Sequence, residues 1–215
     1  MSTAERVPLT RGRIIAAAVG FVDEHGLEAL SMRKLGATLG VEAMSLYNHV
    51  DSKDDVLDGI LDAVLRQVHV PDPLLPWRER LGELLRGFRG MGLTHPGVLP
   101  MFGSRPIASV EAFVPIAAIH EILRDAGFDG DRAIDAFMIV SSFILGYMQI
   151  DLGRMSMNEM GRNTDYASWT GEGHGAAVEL GVGLVARDWD KEFDRCIDLM
   201  IDGIDALLDE RAASD

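Results

Sequence analysis

Residues 31–53 read SMRKLGATLGVEAMSLYNHVDSK and contain two short helical patterns separated by a single glycine. Ser31 supplies the side-chain oxygen of an N-cap, and Met32, Leu35 and Leu39 then recur at the spacing of one helix face. Gly40 can adopt the left-handed backbone that ends a helix. The stretch therefore predicts two helices joined at a steep angle, as in a helix-turn-helix.

The second predicted helix, residues 42–49, has an inward and an outward side. Leu46 and Val50 lie four residues apart and are expected to face the core. The residues on or near the outer side are Ala43, Met44, Ser45, Tyr47, Asn48 and His49. Such a helix fits the major groove of DNA, so the pattern favours DNA binding, although an ordinary helical hairpin in an all-α domain has the same pattern.

Helices are predicted on both sides of this motif. Thr10 precedes an apolar stripe that begins at Ile14, and two arginines, Arg11 and Arg13, lie outside the stripe. Ser52, with an acid three residues later, indicates the start of a long helix that ends before residues 70–73. Lys53 then lies where helix amides and a positive side chain can hold one phosphate.

The rest of the chain also has helical spacing. Helices are predicted over residues 77–91 (ended by Gly92), 108–126, 131–153 and 189–208, with a short helical turn before Gly103. No strand pattern is present, and the predicted fold is all-α. It consists of an amino-terminal three-helix helix-turn-helix domain, residues 1–53, and a larger helical domain, residues 54–215.

Two of these helices carry enough apolar side chains to pair with a second copy of the chain. Residues 131–153 are apolar on most sides, and the last helix has a continuous stripe that includes Phe193, Ile197 and Leu207. This pattern fits either a core within one subunit or an interface between two copies. Residues 154–175, rich in glycine and polar side chains, fit either a flap over a ligand entrance or a solvated connector.

Composition and charge restrict the function classes. The chain has 215 residues, 47% of them hydrophobic, and one cysteine, which rules out an internal disulfide. Its start has no export-signal pattern, and its most apolar run, residues 137–148, is too short to cross a bilayer, so we expect a cytoplasmic protein without a membrane partner. The net charge is −14, but residues 1–55, with six basic and eight acidic residues, carry only −2 of it.

The amino-terminal motif resembles the TetR family of transcriptional regulators. The resemblance covers a helix from Ile14 to a stop at Gly26, the run 30–35, Leu39-Gly40-Val41, and residues 46–50 followed by Lys53. A weaker likeness to the tetracycline-repressor branch rests on residues 102–106 and on Leu145-Gly146 before Asp151. The resemblance implies a homodimer, paired through residues 131–153 and 189–208, that binds an inverted-repeat operator in double-stranded DNA and responds to a small-molecule effector, usually as a repressor.

Site residues follow from the motif and the resemblance together. We expect Arg33, Ser45, Tyr47 and Asn48 at base edges or adjacent phosphates, with Ala43 and Met44 at further sequence-reading positions. The backbone contacts are expected from Arg11, Arg13, His49 and Lys53.

A ligand cavity is expected in the larger domain. Its predicted lining comprises His69, Phe88, Met101, Arg105, Pro106, Phe137, Ser141 and Tyr147. Most of the apolar members also fit ordinary core positions. Met101, Ile150 and Leu84 stand where the tetracycline branch has metal- and drug-binding residues, so we expect a small, largely apolar or aromatic effector and neither a metal nor a cofactor.

Other functions remain possible on the sequence alone. The six histidines show no metal-ligand spacing and no nucleophile lies in a recognisable turn, so an enzyme is not expected. A ligand-sequestering protein without DNA binding and a transcriptional activator of the same family are both compatible with the sequence.

Overall fold

The computed structural model describes residues 8–159, 165–169 and 174–212, and all regular structure in these ranges is helical. The α-helices are α1 (Arg11–His25), α2 (Met32–Leu39), α3 (Ala43–Leu46), α4 (Lys53–Leu65), α5 (Trp77–Thr94), α6 (Val110–Asp125), α7 (Gly130–Glu159), α8 (Gly175–Val185) and α9 (Trp189–Ala212). Short 3-10 helices cover Leu27–Ala29, Pro96–Met101 and Tyr166–Ser168. The all-α prediction is confirmed.

Local capping groups define the first helices, as predicted. The Ser31 hydroxyl accepts a hydrogen bond from the Lys34 amide at 3.3 Å, which satisfies a free N–H at the start of α2. Gly26 and Gly40 have positive φ angles of 79° and 70° where α1 and α2 end. Ile14, Leu35 and Leu46 are fully buried between α1, α2 and α3, so the three helices share one core.

Several predicted helix boundaries are wrong. The second helix of the helix-turn-helix, α3, has four residues, and Tyr47–His49 form a turn rather than a continuation of the helix. Helix α5 continues past Gly92 to Thr94 and ends at His95-Pro96-Gly97, the second stop in the sequence; Gly92 instead gives space to α7, because a Cβ there would lie 2.9 Å from the sulfur of Met148. The helix predicted at 131–153 extends to Glu159, and a helix absent from the prediction, α8, follows it.

Helix α4 lies between the two parts of the chain. The Ser52 hydroxyl accepts from the Asp55 amide at 3.0 Å and caps its start, as predicted. Gly59 allows close packing on α1, since a Cβ there would lie 2.5 Å from Cδ1 of Ile15. On other sides α4 contacts α6 and the 3-10 helix Pro96–Met101. The predicted domain boundary thus falls at the first residue of a helix that both parts share.

Helices α7 and α9 each have one face inside the subunit and one outside. Val140 and Ile144 of α7, together with Phe193 and Ile197 of α9, are buried in the subunit core. The outward face carries exposed apolar side chains, namely Ile134, Met138, Ile139, Leu145, Ile150, Leu199 and Leu207. Of the two interpretations of the α9 stripe, a core within one subunit holds for Phe193, Ile197, Ile201 and Ile204, which are buried there.

The apolar part of α7 is longer than the run 137–148, so the expectation that it is too short to cross a bilayer is wrong on length and composition. Residues Gly130–Ser156 are long and apolar enough to cross a membrane, with a mean hydropathy of 1.6, and 33% of an 18-residue window within them is buried. Asp151 near its end is buried, however, and accepts a hydrogen bond from Nε of Arg89 on α5 at 2.7 Å. Packing against α5 and α6 and a buried ion pair are features of a protein-core helix.

The segment predicted as a flap or connector, residues 154–175, is partly helical. Its first six residues continue α7. Tyr166 begins a short 3-10 helix, and the ring of Tyr166 packs against Gly181 of α8. The remainder, residues 160–164 and 170–173, lies outside the described residues. On α8, Leu180 and Val185 are largely exposed.

Candidate DNA-binding surface and ligand cavity

The helix-turn-helix presents a continuous outer surface formed by α2, α3 and the following turn. Met44 is 74% exposed and Tyr47 43% exposed, and Asn48 and His49 are exposed beside them. Ala43 and Ser45 are half-buried. Tyr47, Asn48 and His49 extend from the turn, so only the first part of the predicted outer set lies on a helix.

The cations near this surface differ in their partners. Arg33, Lys34 and Lys53 are exposed, and Lys53 is the first residue of α4. Arg11 instead contacts Asp55 at 2.6 Å, and that carboxylate also accepts from the Asp51 amide at 2.9 Å. Nη1 of Arg13 lies 3.5 Å from the Pro8 carbonyl oxygen. Arg11 therefore holds α1 against the start of α4, a structural role that its position in the sequence does not reveal.

Gly36 allows α2 and α3 to pack closely, a role that was not predicted from the sequence. It lies inside α2, where a Cβ would be 2.9 Å from the Val41 carbonyl oxygen and 3.2 Å from the Ala43 amide nitrogen. The start of α3 can thus lie close to α2 because Gly36 has no side chain. A glycine inside a helix costs about 1 kcal/mol relative to alanine, and that cost was the available signal.

A cavity of about 280 Å³ lies in the larger part of the chain. Four of the predicted residues line it: Phe88, Arg105, Phe137 and Ser141. The other lining residues are Leu61, Phe102, Gly103, Ile107, Ile116, Ile119, Met138, Ile144, Leu145 and Met148. Together the lining residues come from α4, α5, α6, α7 and the segment after the 3-10 helix. The spacing of residues along the sequence does not show that these elements meet.

Four predicted lining residues lie elsewhere. His69 is exposed after the end of α4, Pro106 is exposed, and Met101 is buried in the 3-10 helix without lining the cavity. Tyr147 points to the other side of α7, where its ring lies 4.6 Å from that of Phe193 and its hydroxyl donates to the Trp189 carbonyl at 3.2 Å. Burial there raises the pKa of Tyr147 to about 12.

Arg105 connects the cavity to α4. Its Nε donates to Asp58 at 2.8 Å, and its Nη2 donates to the Asp54 carboxylate at 3.1 Å and to the Asp54 carbonyl at 3.2 Å. The hydrogen bond to Asp58 raises the pKa of Arg105 above its ordinary value. A cavity residue is thereby bonded to the first turns of the helix that begins beside Lys53.

His95 forms a second contact between the two parts. Its Nδ1 lies 2.9 Å from Asp23 of α1, and its Nε2 lies 3.1 Å from the Gln67 side-chain oxygen just after α4. Next to it, a Cβ at Gly97 would lie 2.7 Å from the Val22 carbonyl oxygen of α1. The amino-terminal part is thus tightly fitted to the larger part.

The described residues contain no group of three or more His, Cys, Asp or Glu side chains placed to hold a metal ion. The single cysteine, Cys196, is half-buried, and desolvation raises the pKa of its thiol. The chemistry available in the cavity is therefore apolar contact, one guanidinium and one hydroxyl.

Comparison with known proteins identifies both parts of the chain. Residues 14–60 match the family model for bacterial regulatory proteins of the tetR family, and residues 70–208 match the tetracyclin repressor-like C-terminal domain. An HTH-type transcriptional regulator from Saccharopolyspora erythraea is 32% identical over 206 residues, which cover 92% of this chain and 85% of that protein.

Two further similarities extend this result. The HTH-type transcriptional repressor DrrR1 of Streptomyces coeruleorubidus is 31% identical over 170 residues, which cover 78% of this chain and 63% of that protein. The crystal structure of the Streptomyces coelicolor TetR family protein ActR in complex with actinorhodin has a TM-score of 0.78 and 29% identity, covering 92% of this chain and 96% of that one.

Proposed function

Because this chain belongs to the TetR family of ligand-responsive transcriptional regulators, which are not enzymes, we propose that it is a repressor that binds an inverted-repeat operator as a homodimer. The observation that carries the proposal is the exposed surface of Met44, Tyr47 and Asn48, flanked by Arg33 and Lys53. Operator DNA as the partner implies a cytoplasmic protein.

The DNA contacts divide into two sets. Arg33, Ser45, Tyr47 and Asn48 contact base edges or adjacent phosphates, and Met44 offers an apolar surface to a thymine methyl group. The half-buried Ala43 allows the backbone to approach the groove. The phosphate contacts are made by Lys53, His49 and Arg13, with Arg11 contributing less charge because Asp55 neutralises it.

The dimer uses the outward faces of α7 and α9. These faces carry exposed apolar residues such as Ile134, Ile139 and Leu199, which one subunit leaves in contact with water. A two-fold axis through them repeats the recognition helix, so two half-sites are bound together.

The effector binds in the cavity lined by Phe88, Arg105, Phe137 and Ser141. A small, largely apolar or aromatic molecule suits this lining. The actinorhodin complex of ActR supports a ligand site in a protein of similar fold. The effector signal reaches the DNA-binding part through Arg105 and α4, rather than through His69, which lies outside the cavity.

Selection from a randomised double-stranded DNA pool tests this function. We expect the purified protein to retain an inverted repeat at moderate salt. Arg33→Glu and Lys53→Glu should each abolish retention, whereas Arg124→Glu, an equal charge change at an exposed site on α6, should leave it intact. Equal effects of all three variants, or no enrichment, would favour a ligand-sequestering protein, and a reporter gene distinguishes repression from activation.

A further inference from the structure

Arg105 is an unusual member of an otherwise apolar cavity. Among the described residues that line the cavity it is the one charged side chain, and Ser141 is the one hydroxyl. All other lining residues have apolar side chains or are glycine. A purely apolar ligand that covered the guanidinium would offer no partner to any donor that the protein leaves unbonded, which is energetically unfavourable.

The orientation of the guanidinium leaves part of it available. Its bonds to Asp58 and Asp54 use Nε and Nη2, and Nη1 makes no hydrogen bond to the part of the chain that the structure describes. The Arg105 side chain is 22% exposed, so it is not enclosed by its carboxylate partners. The Nη1 side of the fork therefore keeps its donor hydrogens for an acceptor on a ligand.

We propose that the effector is an apolar molecule with a carboxylate, which binds Arg105 and weakens the bonds of that arginine to Asp58 and Asp54. The inference rests on the proposed function, because it names the chemical class and the action of the ligand at the same cavity. The carboxylate supplies a charge-assisted hydrogen bond, and the apolar body fills the space between α5, α6 and α7.

Electrostatics gives this binding a consequence for α4. A ligand carboxylate becomes the third negative group around one guanidinium, so it repels the two aspartates and attracts the guanidinium away from them. Asp54 and Asp58 lie in the first two turns of α4, directly after Lys53. Ligand binding thus loosens the attachment of the larger part to the end of α4 that begins beside the DNA-binding surface.

A matched pair of probes tests the chemical class without knowledge of the natural effector. Naphthylacetic acid and naphthylacetamide have nearly the same shape and differ in charge. Titration calorimetry of the full-length protein is expected to show tighter binding of the acid, on the order of tenfold, the change that one charge-assisted hydrogen bond produces.

Three variants locate the effect. Arg105→Gln should remove the preference for the acid, and Arg105→Lys should retain part of it because the charge remains. Asp58→Asn should act in the opposite direction and raise acid affinity several-fold, since it removes a competing carboxylate near the cavity. Arg66→Gln, which alters an exposed arginine paired with Glu111 outside the cavity, is the matched control and should change neither affinity.

The acid-to-amide ratio is the decisive quantity, because misfolding would affect both probes alike. Equal affinities for acid and amide, absence of binding by both, or a preference that survives in Arg105→Gln would overturn the proposal. The DNA selection is independent of these titrations. An acid preference without operator enrichment would reject the proposed function alone, and enrichment without an acid preference would reject this inference alone.

Discussion

At the scale of single residues, Gly36 determines how closely α3 approaches α2. A methyl group there would meet backbone atoms of Val41 and Ala43, which cannot move away as a flexible side chain can. We expect Gly36→Ala to destabilise the protein by about 1–3 kcal/mol and to weaken operator binding. Chemical denaturation and a DNA-binding titration measure the two effects.

Gly20 provides the control for this substitution. It lies inside α1, and among the described residues no atom outside its own stretch of helix lies within 4 Å of the position that a Cβ would occupy. Gly20→Ala should therefore be neutral or stabilising by up to about 1 kcal/mol. If both alanine variants had the same stability, the close approach at Gly36 would not be important.

Met44 is the most exposed side chain of α3, and its replacement tests how the protein recognises the base sequence of the DNA. We expect Met44→Ala to lower the affinity for the selected operator by about 1 kcal/mol, with the loss confined to sites that carry thymine at one position. Repeating the DNA selection with the variant measures the change in base preference. A uniform loss at all sequences would show that Met44 does not contact a base.

Residue-level features were predictable from the sequence where their causes are local. The cap at Ser31 and the turn at Gly40 depend on neighbours within a few residues, and both were predicted correctly. The position of Tyr147 depends on how α7 is rotated towards Phe193 and Trp189, and that of Met101 on how the 3-10 helix packs; no local pattern encodes either. The role of Arg11 likewise required the distant Asp55 to be in place.

At the scale of elements, α1, α4 and the 3-10 helix Pro96–Met101 form one coupled unit. His95 bonds Asp23 and Gln67 at once, and its side chain is nearly buried. We expect His95→Ala to destabilise the protein by about 1–3 kcal/mol, because two partly buried polar groups lose their partner. Thermal unfolding and hydrogen exchange of the α1 amides measure this.

His69 is the matched control for that variant. It is exposed and lies outside the cavity, so His69→Ala should change neither stability nor the exchange of α1. A large effect of His69→Ala would restore this histidine to the effector site, where its place in the sequence predicted it.

Element boundaries show where sequence patterns lose information. Gly40 ends a helix and Gly92 does not, although both interrupt an apolar pattern in the sequence. Gly40 has a left-handed φ of 70°, whereas Gly92 keeps the helical conformation and lies against Met148 of α7, a residue from a distant part of the chain. Helix α8 escaped prediction because it is apolar nearly all round and lacks a polar face.

At the scale of the whole molecule, the outward apolar face of α9 predicts the oligomeric state. We expect Leu199→Asp to convert the dimer into monomers and to reduce operator affinity, since a charge would be buried in the interface. Sedimentation velocity measures the change. Leu74→Asp, at a residue 90% exposed before α5, should leave the dimer unchanged, and a dimer that survived Leu199→Asp would place the interface elsewhere.

The overall architecture was predictable because the helix-turn-helix pattern and helical spacing are dense in this sequence. Which face of α7 points inward was not, since that helix is apolar on most sides and only its packing against α5 and α6 distinguishes them. Only four of the eight predicted lining residues face the cavity for the same reason. The helices around the cavity were predicted, but the side chains that each helix turns towards it were not.

In the proposed mechanism, helix α4 also sets the effector concentration at which the regulator responds. Because it is shared by the DNA-binding part and the cavity wall, any effector that lowers operator affinity must itself bind more weakly to the DNA-bound protein, by the same factor. A cell that carries more operator copies therefore needs a higher effector concentration to reach half-release. Gene dosage and sensing threshold become linked through thirteen residues, Lys53–Leu65.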